Sequence, residues 1–293
     1  MNGAHSGTEP GRDAVTKKIL STLEIARPHN MVAAGACVVS AYHLSGGRGI
    51  APAFWPVVFT ALVAGLGNLV NDVFDTAIDR VNKPRRPIPS GRVSARHVFR
   101  VYLWGTVLVT AAMWALLPGR VFALAVMWEA LLFWYAAQVK RMPLAGNILI
   151  AAVCASAFMV SALVTGGFRV LVFPACFAFV LVMARELVKG AEDVEGDRLA
   201  GASTLAVRYG AARSSTWGAI LLFVCVAAAP VPALAGHFGR AYGLLAEFLV
   251  TPGILAAAYL VLKFPEKTAF NRASWILKIE MFIGIVVMGF GLS

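Results

Sequence analysis

Residues 54–74 read FWPVVFTALVAGLGNLVNDVF, an apolar stretch that acquires amide and carboxylate side chains only from Asn68 onwards. About 20 mostly apolar residues in a helix are enough to cross the hydrocarbon core of a bilayer. The stretch therefore predicts a transmembrane helix whose polar end lies at a membrane surface.

Eight further apolar runs of similar length accompany this one. In chain order, the nine predicted spans lie near 28–46, 54–74, 98–117, 121–138, 145–165, 170–189, 214–234, 242–263 and 273–292. Of the 293 residues 59% are apolar and 14% charged, with a mean hydropathy of +0.74, whereas a soluble domain is about 25% charged. This composition excludes a soluble enzyme, a disordered protein and a nucleic-acid-binding domain, and it predicts an all-α polytopic membrane protein with nine transmembrane helices.

The basic residues predict the orientation of the helices. Of the 26 Lys and Arg residues, 22 lie in the N-terminal segment and the even-numbered loops. By the positive-inside rule, these regions face the cytoplasm, and nine spans then place the C-terminus outside the cell membrane. Residues 1–19 are polar and have no apolar core for a signal peptide. We therefore expect a flexible cytoplasmic tail over 1–19 and a single transmembrane domain over 20–293.

The acidic residues are concentrated at two predicted cytoplasmic helix ends. Eight of the 15 lie in residues 68–79, NLVNDVFDTAID, and residues 185–197, RELVKGAEDVEGD. At about 100° per residue, each segment presents one polar face, while Glu192 and Glu195 point elsewhere. The first face carries Asn68, Asn71, Asp72, Asp75 and Asp79, and the second carries Glu186, Lys189, Asp193 and Asp197.

Clustered carboxylates at a membrane boundary require a compensating cation. Oxygen ligands without His or Cys suit Mg²⁺, which fills its remaining positions with water and phosphate oxygens. Two such helix ends that face each other would hold Mg²⁺ and, through it, a diphosphate. Nearby basic side chains can take the remaining phosphate charge; they are Lys83, Arg85, Arg86 and Arg92. The alternative is a solvated rim of acids paired with Arg and Lys, which the matched spacing of the two segments disfavours.

Two sequence signatures are specific enough to indicate a family. Residues 71–92, NDVFDTAIDRVNKPRRPIPSGR, resemble the first signature of the UbiA-type intramembrane prenyltransferases, and residues 193–205, DVEGDRLAGASTL, resemble the second. Tyr135 with Lys140 resembles the family's Tyr/Lys loop, in which either Lys140 or Arg141 supplies the basic group. The wording is most similar to the digeranylgeranylglyceryl phosphate synthase branch, although chlorophyll synthases carry a similar RPIPSG and EGDR.

The resemblance implies a UbiA-type helical bundle and a Mg²⁺-dependent prenyltransferase. The implied reaction transfers a geranylgeranyl group from its diphosphate to a lipophilic acceptor, geranylgeranylglyceryl phosphate, and forms an ether. An aromatic acceptor, chlorophyllide, or a terpene cyclase reaction without an acceptor stay open, because ionisation of the diphosphate uses the same motifs. The implied partners are the prenyl diphosphate, the membrane-soluble acceptor and membrane lipid, with no nucleic acid.

The resemblance also implies roles for individual residues. The implied metal ligands are Asn71, Asp75, Asp79, Asp193 and Asp197, and the four aspartates are catalytic. Asn68 and Asp72 are implied as further ligands or as partners of the ligands. Tyr135 and Lys140 are the catalytic pair that closes over the leaving group. The implied phosphate-binding residues are Lys83, Lys189 and Arg198 for the diphosphate, and Arg86, Arg92 and Arg141 for the acceptor.

Other features leave alternatives open. A secondary transporter or cation channel would also use carboxylates, but transporters bind near the bilayer midplane and often contain inverted repeats. Here the acids lie at helix ends, and nine spans do not divide into two halves. Glu129 and Glu247 lie within predicted spans, and we interpret both as hydrogen-bonded packing residues rather than catalytic ones. Arg27, which opens the first span, either lines the site or caps the helix.

Overall fold

The structure is a computed structural model that describes residues 10–292, and this part of the chain consists of helices and turns without a strand. Its α-helices are, in chain order, α1 (Pro10–Ala26), α2 (Pro28–Leu44), α3 (Ala51–Phe74), α4 (Thr76–Asn82), α5 (Ala95–Leu116), α6 (Gly119–Ala137), α7 (Ala145–Thr165), α8 (Phe168–Leu199), α9 (Leu205–Tyr209), α10 (Ala211–Ala228), α11 (Val231–Leu234), α12 (Arg240–Leu245), α13 (Thr251–Lys263) and α14 (Lys267–Met288). A 3₁₀ turn at Val139–Arg141 follows α6, and a π-helical segment at Ala246–Val250 joins α12 to α13.

All nine predicted spans form helical segments, and seven segments of the described chain are long and apolar enough to cross a membrane. The seven are Ala51–Phe74, Ala95–Leu116, Gly119–Ala137, Ala145–Thr165, Phe168–Leu199, Ala211–Leu234 and Arg240–Lys263. The other two are α2, which has 17 residues, and α14, which carries several charged side chains. The all-α membrane fold is confirmed, and the count of nine transmembrane helices stays a prediction.

The helix α1 corrects one expectation. Residues 10–19, which we expected within a flexible tail, are helical, and residues 1–9 lie outside the described part of the chain. The C-terminal end of α1 is anchored because Ile25 is 1% exposed and packs with Val70 and Val98 in a buried apolar cluster. This burial stabilises the C-terminal end of α1, although the helix as a whole is rich in polar residues.

The bundle has a buried apolar core and an apolar outer surface. The core draws large, fully buried side chains from helices along the whole chain; they include Leu44, Met113, Leu171, Leu222, Ile254, Phe270 and Leu277. On the outside, α5 exposes Trp104, Leu108 and Trp114 by 68%, 68% and 75%. Such exposure is unfavourable in water and appropriate for a face that contacts lipid.

The two acidic segments meet because α4 packs against α8. Asp75 joins α3 to α4, and α8 continues without interruption to Leu199. The Asn82 amide of α4 donates a hydrogen bond of 3.0 Å to the backbone carbonyl of Asp193. Gly196 makes this approach possible, because a Cβ atom at that position would overlap the Asn82 side chain.

The close approach of Asn82 to α8 predicts that Gly196→Ala destabilises the protein. Overpacking at this contact should lower the free energy of unfolding by about 1–3 kcal/mol, measured by denaturation in detergent. Gly284→Ala in α14 is the matched control, since a Cβ atom there meets open space, and the higher helix propensity of Ala should leave stability equal or raised by up to about 1 kcal/mol. Equal stabilities of the two variants would contradict the tight contact.

Candidate active site

One cavity opens where the two acidic segments meet, and it encloses about 820 Å³ including its mouth. Its lining includes most of the sequence-predicted site residues, namely Asn71, Asp75, Asp79, Lys83, Tyr135, Lys140, Arg141, Lys189, Asp193 and Asp197. Glu186 also lines the cavity, so the whole polar face predicted for α8 is confirmed. Glu192 points away and accepts a hydrogen bond from Asn271, as the helical spacing predicts.

On one side of the cavity, Lys140 holds the first acidic segment. Its Nζ atom lies 2.6 Å from Oδ1 of Asp75 and 3.3 Å from Oδ1 of Asn71. The Asn71 amide in turn donates to Oδ2 of Asp75 at 2.7 Å. Burial lowers the pKa of Lys140, and the negative charge of Asp75 opposes that shift. Gly146 allows the start of α7 to lie close to the backbone of Lys140, since a Cβ atom at this position would lie 2.7 Å from the Lys140 Cα atom.

On the other side, Lys83 reaches the second acidic segment. Its Nζ atom lies 3.1 Å from both carboxylate oxygens of Asp193 and donates a hydrogen bond to Oδ2. Within residues 10–292, the buried Oδ1 atom of Asp193 accepts no hydrogen bond and contacts Lys83 as an ion pair. Beyond the end of α8, Thr204 donates a hydrogen bond of 3.2 Å to Oδ2 of Asp197, which lies in the last turn of that helix. Lys83 therefore links the loop after α4 to the acidic end of α8.

A third group of charges lies behind the cavity wall. Arg27 donates to Asp72 at 2.5 Å and to Asn68 at 3.1 Å. Arg86 donates to Asp79 at 2.7 Å and lies 3.4 Å from the Asp72 carboxylate. Burial raises the pKa of Asp79, and the positive charge of Arg86 opposes this shift. Arg27 neither lines the cavity nor caps α2 with its side chain. Instead, it stabilises the first acidic segment through its contacts with Asp72 and Asn68.

The side chains at the cavity fit a divalent metal ion with oxygen ligands. Six carboxylate or amide groups from residues 71–79 and 186–197 line it, and both oxygens of Asp193 lie 3.1 Å from the Lys83 ammonium group, the kind of cation that a metal ion replaces. Hard oxygen donors of this kind suit Mg²⁺. In the present arrangement lysine and arginine side chains neutralise several of the acids, and no three His, Cys, Asp or Glu side chains of residues 10–292 are close enough to hold an ion. The proposed ligand set stays a prediction.

Two predicted substrate-binding residues lie away from the cavity, which corrects the sequence interpretation. Arg92 forms a bidentate pair with Glu24 of α1, with its closest contact at 2.6 Å. Arg198 is exposed because one step along a helix turns a side chain about 100° from Asp197. Asn68, Asp72 and Arg86 also lie outside the lining and act through the contacts behind it.

Sequence reasoning gave no site role to three residues that the structure places at or beside the cavity. Thr204 and Asn82 lie within the two quoted signatures, yet only their contacts with Asp197 and Asp193 distinguish them. Glu186 was on the predicted face, and its carboxylate lies between Arg185 and Lys189, at 2.9 and 3.9 Å. These roles depend on tertiary packing that spacing does not reveal.

The two isolated acids within the predicted spans have different environments. Glu129 accepts a hydrogen bond of 2.7 Å from Thr110, as expected of a packing residue, beside a smaller cavity of about 180 Å³. Glu247 is exposed in the π-helical segment, so the expectation that it is packed is wrong.

Comparisons with known proteins agree with this geometry. The family model of the UbiA prenyltransferase family matches residues 32–285. The digeranylgeranylglyceryl phosphate synthase of Methanothermobacter thermautotrophicus is 34% identical over 272 residues, which cover 92% of this chain and 95% of the relative. A solved structure of digeranylgeranylglyceryl phosphate synthase in membranes is 27% identical, with a TM-score of 0.70 over 94% of this chain and 98% of that one. A UbiA homolog from Archaeoglobus fulgidus bound to DMAPP and Mg²⁺ is 18% identical and shares the fold, with a TM-score of 0.66 over 92% and 99% of the chains.

The brace behind the cavity predicts that Arg27→Met destabilises the protein. The variant removes two hydrogen bonds to polar groups of α3 and leaves the 5%-exposed Asp72 side chain with Arg86 alone. The free energy of unfolding in detergent should fall by about 2 kcal/mol. Arg92→Met, which breaks an exposed arginine–carboxylate pair, is the matched control and should change stability by no more than about 1 kcal/mol. A loss for Arg27→Met no larger than for the control would contradict the bracing role.

Proposed function

The chain belongs to the UbiA prenyltransferase family and is an enzyme that transfers prenyl groups, and from this premise we propose its substrates and mechanism. The donor is geranylgeranyl diphosphate, and the acceptor is geranylgeranylglyceryl phosphate. The product is an ether between the acceptor's free hydroxyl and the transferred chain. The observation that carries the proposal is the single cavity in which both acidic segments and several basic side chains meet at one end of a membrane bundle.

The acceptor assignment is supported by the relatives. Eight similar proteins named digeranylgeranylglyceryl phosphate synthase are 33–35% identical to this chain over 73–94% of its length. The resemblance to that branch lies in residues 82–92, NKPRRPIPSGR, and residues 192–210, EDVEGDRLAGASTLAVRYG.

The oxygen ligands of the cavity would hold Mg²⁺; they are Asn71, Asp75, Asp79, Asp193 and Asp197. When bound, the metal neutralises the diphosphate as the allylic carbon–oxygen bond breaks. The solved homologue with DMAPP and Mg²⁺ supports this assignment. The two acidic segments share the diphosphate between them, which explains why α4 and α8 must pack together.

The cationic side chains of the cavity bind phosphate oxygens that no metal ligand covers. Lys83, Lys140, Arg141 and Lys189 all line the cavity. Asp75 and Asn71 orient Lys140, so that its ammonium group lies at the wall instead of extending into solvent. Tyr135 lines the same wall and adds a hydroxyl donor near the leaving group. These donors are already in position before the reaction, so they need no reorganisation as negative charge develops.

The apolar part of the site protects the reactive carbon from water. Ile78, Leu187 and Leu205 line the cavity together with the charged groups, and the bundle beyond them is apolar. An allylic carbocation formed in water would be quenched, whereas an apolar pocket reserves it for the acceptor's hydroxyl oxygen. The isoprenoid chains of donor and acceptor lie between helices, in apolar surroundings like those of the bilayer.

We also propose that the cavity faces the cytoplasm. The support is the distribution of charge: 22 of the 26 basic residues lie in the segments that the positive-inside rule assigns to that side. The two acidic segments belong to the same set of helix ends.

Two single-atom substitutions test the catalytic assignment. Asp75→Asn and Asp193→Asn each remove one negative charge without changing shape, and each should reduce turnover by at least about 100-fold. EDTA should abolish turnover of the unchanged protein, and excess Mg²⁺ should restore it. Glu195→Gln, on α8 but exposed and turned towards Lys267, is the matched control and should retain activity. Near-normal turnover of both Asp variants would contradict the proposed ligand set.

Product analysis tests the acceptor. The protein is offered geranylgeranyl diphosphate with geranylgeranylglyceryl phosphate, homogentisate, 4-hydroxybenzoate or chlorophyllide, and the products are identified by mass spectrometry. We expect only the glyceryl phosphate to gain a chain. Prenylation of an aromatic acceptor or of chlorophyllide, or a cyclised hydrocarbon formed without acceptor, would contradict the assigned reaction while retaining the family.

A further inference from the structure

Two basic side chains contact each other near the cavity, in a place the mechanism does not use. Nζ of Lys278 on α14 lies 2.5 Å from Nε2 of His29 at the start of α2. The same ammonium group lies 5.0 Å from the centre of the Trp275 ring. In residues 10–292 neither Lys278 nor His29 forms an ion pair with a carboxylate.

Further positive charge surrounds this contact. Arg185, Arg27 and Lys189 lie close enough to repel the Lys278 ammonium group. Arg185 has a buried Nε atom with no hydrogen-bond partner. The nearby carboxylate of Glu186 is already shared between Arg185 and Lys189. The basic cluster of His29, Arg185 and Lys278 therefore has more positive charge than the surrounding acids neutralise.

The end of α2 adds to the attraction for an anion. α2 begins at Pro28, and no side chain caps its N-terminus. The start of α2 carries the partial positive charge of a helix N-terminus, although Pro28 has no N–H group and the amides of Asn30 and Met31 already donate to the carbonyl of Arg27. A helix N-terminus alone does not define an anion-binding site, but this one contains His29 of the basic cluster.

We propose that the basic cluster binds the phosphate monoester of the lipid acceptor. This inference rests on the proposed function and adds the site for its second anion. A phosphate monoester carries nearly two negative charges, which would neutralise the excess positive charge of the cluster through charge-assisted hydrogen bonds. Arg185 donates its free Nε–H to the phosphate, and Lys278 donates from its ammonium group.

The position of the basic cluster separates the acceptor's phosphate from the diphosphate. Arg185 lies eight residues before Asp193 on α8, about 12 Å along the helix axis. Glu186, one residue after Arg185, lines the cavity. The two anions would thus approach the reaction from neighbouring sites, each with its own cations. Arg86 and Arg92, the acceptor candidates from sequence, are instead held by Asp79 and Glu24.

A binding experiment without reaction tests the proposal. The full-length protein in neutral detergent, with EDTA and no prenyl diphosphate, is titrated with a dialkylglycerol phosphate, which has no hydroxyl to be prenylated. Lys278→Met and Arg185→Met should each raise the Kd by about tenfold, the loss expected for one charge-assisted contact. Lys278→Arg should bind within a few fold of the unchanged protein. Arg272→Met, which removes one exposed charge from the same helix, should bind normally.

The outcomes distinguish the sites and sources of the phosphate. A larger loss for Lys83→Met than for Lys278→Met would place the phosphate in the diphosphate cavity and overturn the proposal. Equal competition by phosphatidylglycerol, a phosphodiester, would identify the basic cluster as a general anchor for membrane lipid and also overturn it. Unchanged binding in Lys278→Met would do the same. Because the assay requires no turnover, a failure of the proposed transfer reaction would leave its result unaffected.

Discussion

Carboxylates at the end of a membrane bundle are stabilised by cations a few ångströms away, and this electrostatic constraint organises much of the site. Each of three acids at the cavity has a basic partner from another segment: Asp75 pairs with Lys140, Asp193 with Lys83, and Asp79 with Arg86. The loop after α4 supplies two of the partners, and the turn after α6 supplies the third. Charge neutralisation therefore determines which segments meet at the cavity, because apolar contacts alone do not select these partners.

The same pairing prepares the site for its proposed ligand. A diphosphate with Mg²⁺ contains both kinds of charge, so the metal can take the carboxylates while the phosphates take Lys83 and Lys140. Every charge then exchanges one opposite partner for another, and no ion is left unpaired in a medium of low dielectric constant. A site with the acids alone would repel the donor, and a site with the lysines alone would not hold the metal. Both sets are needed, and the lysines come from the loop after α4 and the turn after α6.

Helical regularity decided which parts of this structure could be predicted. Each of the nine apolar runs is helical, and the period of α8 correctly placed Glu186 and Asp197 on one face and Glu192 on another. Prediction failed chiefly where no period applies, although the period of α8 also turns Arg198 away from Asp197, against the role predicted for it. Arg92 lies in an irregular loop, and its partner Glu24 comes from a helix that the sequence did not predict. Such pairs depend on how distant segments pack, and a single sequence does not encode their distance in any local pattern.

Electrostatic repulsion gives a reason for two separate anion sites in an enzyme of this proposed function. The acceptor's hydroxyl and phosphate lie on adjacent carbons, so the hydroxyl cannot reach the donor without bringing two anions close together. At an effective dielectric constant of 20, two unit charges 8 Å apart repel by roughly 2 kcal/mol, and each group carries more than one charge. In the proposed arrangement separate cations remove this penalty, with Lys83 and Lys140 assigned to the diphosphate and Arg185 and Lys278 to the phosphate. An acceptor without a phosphate gains nothing from the second set, so the proposed phosphate site implies a preference for phosphorylated acceptors.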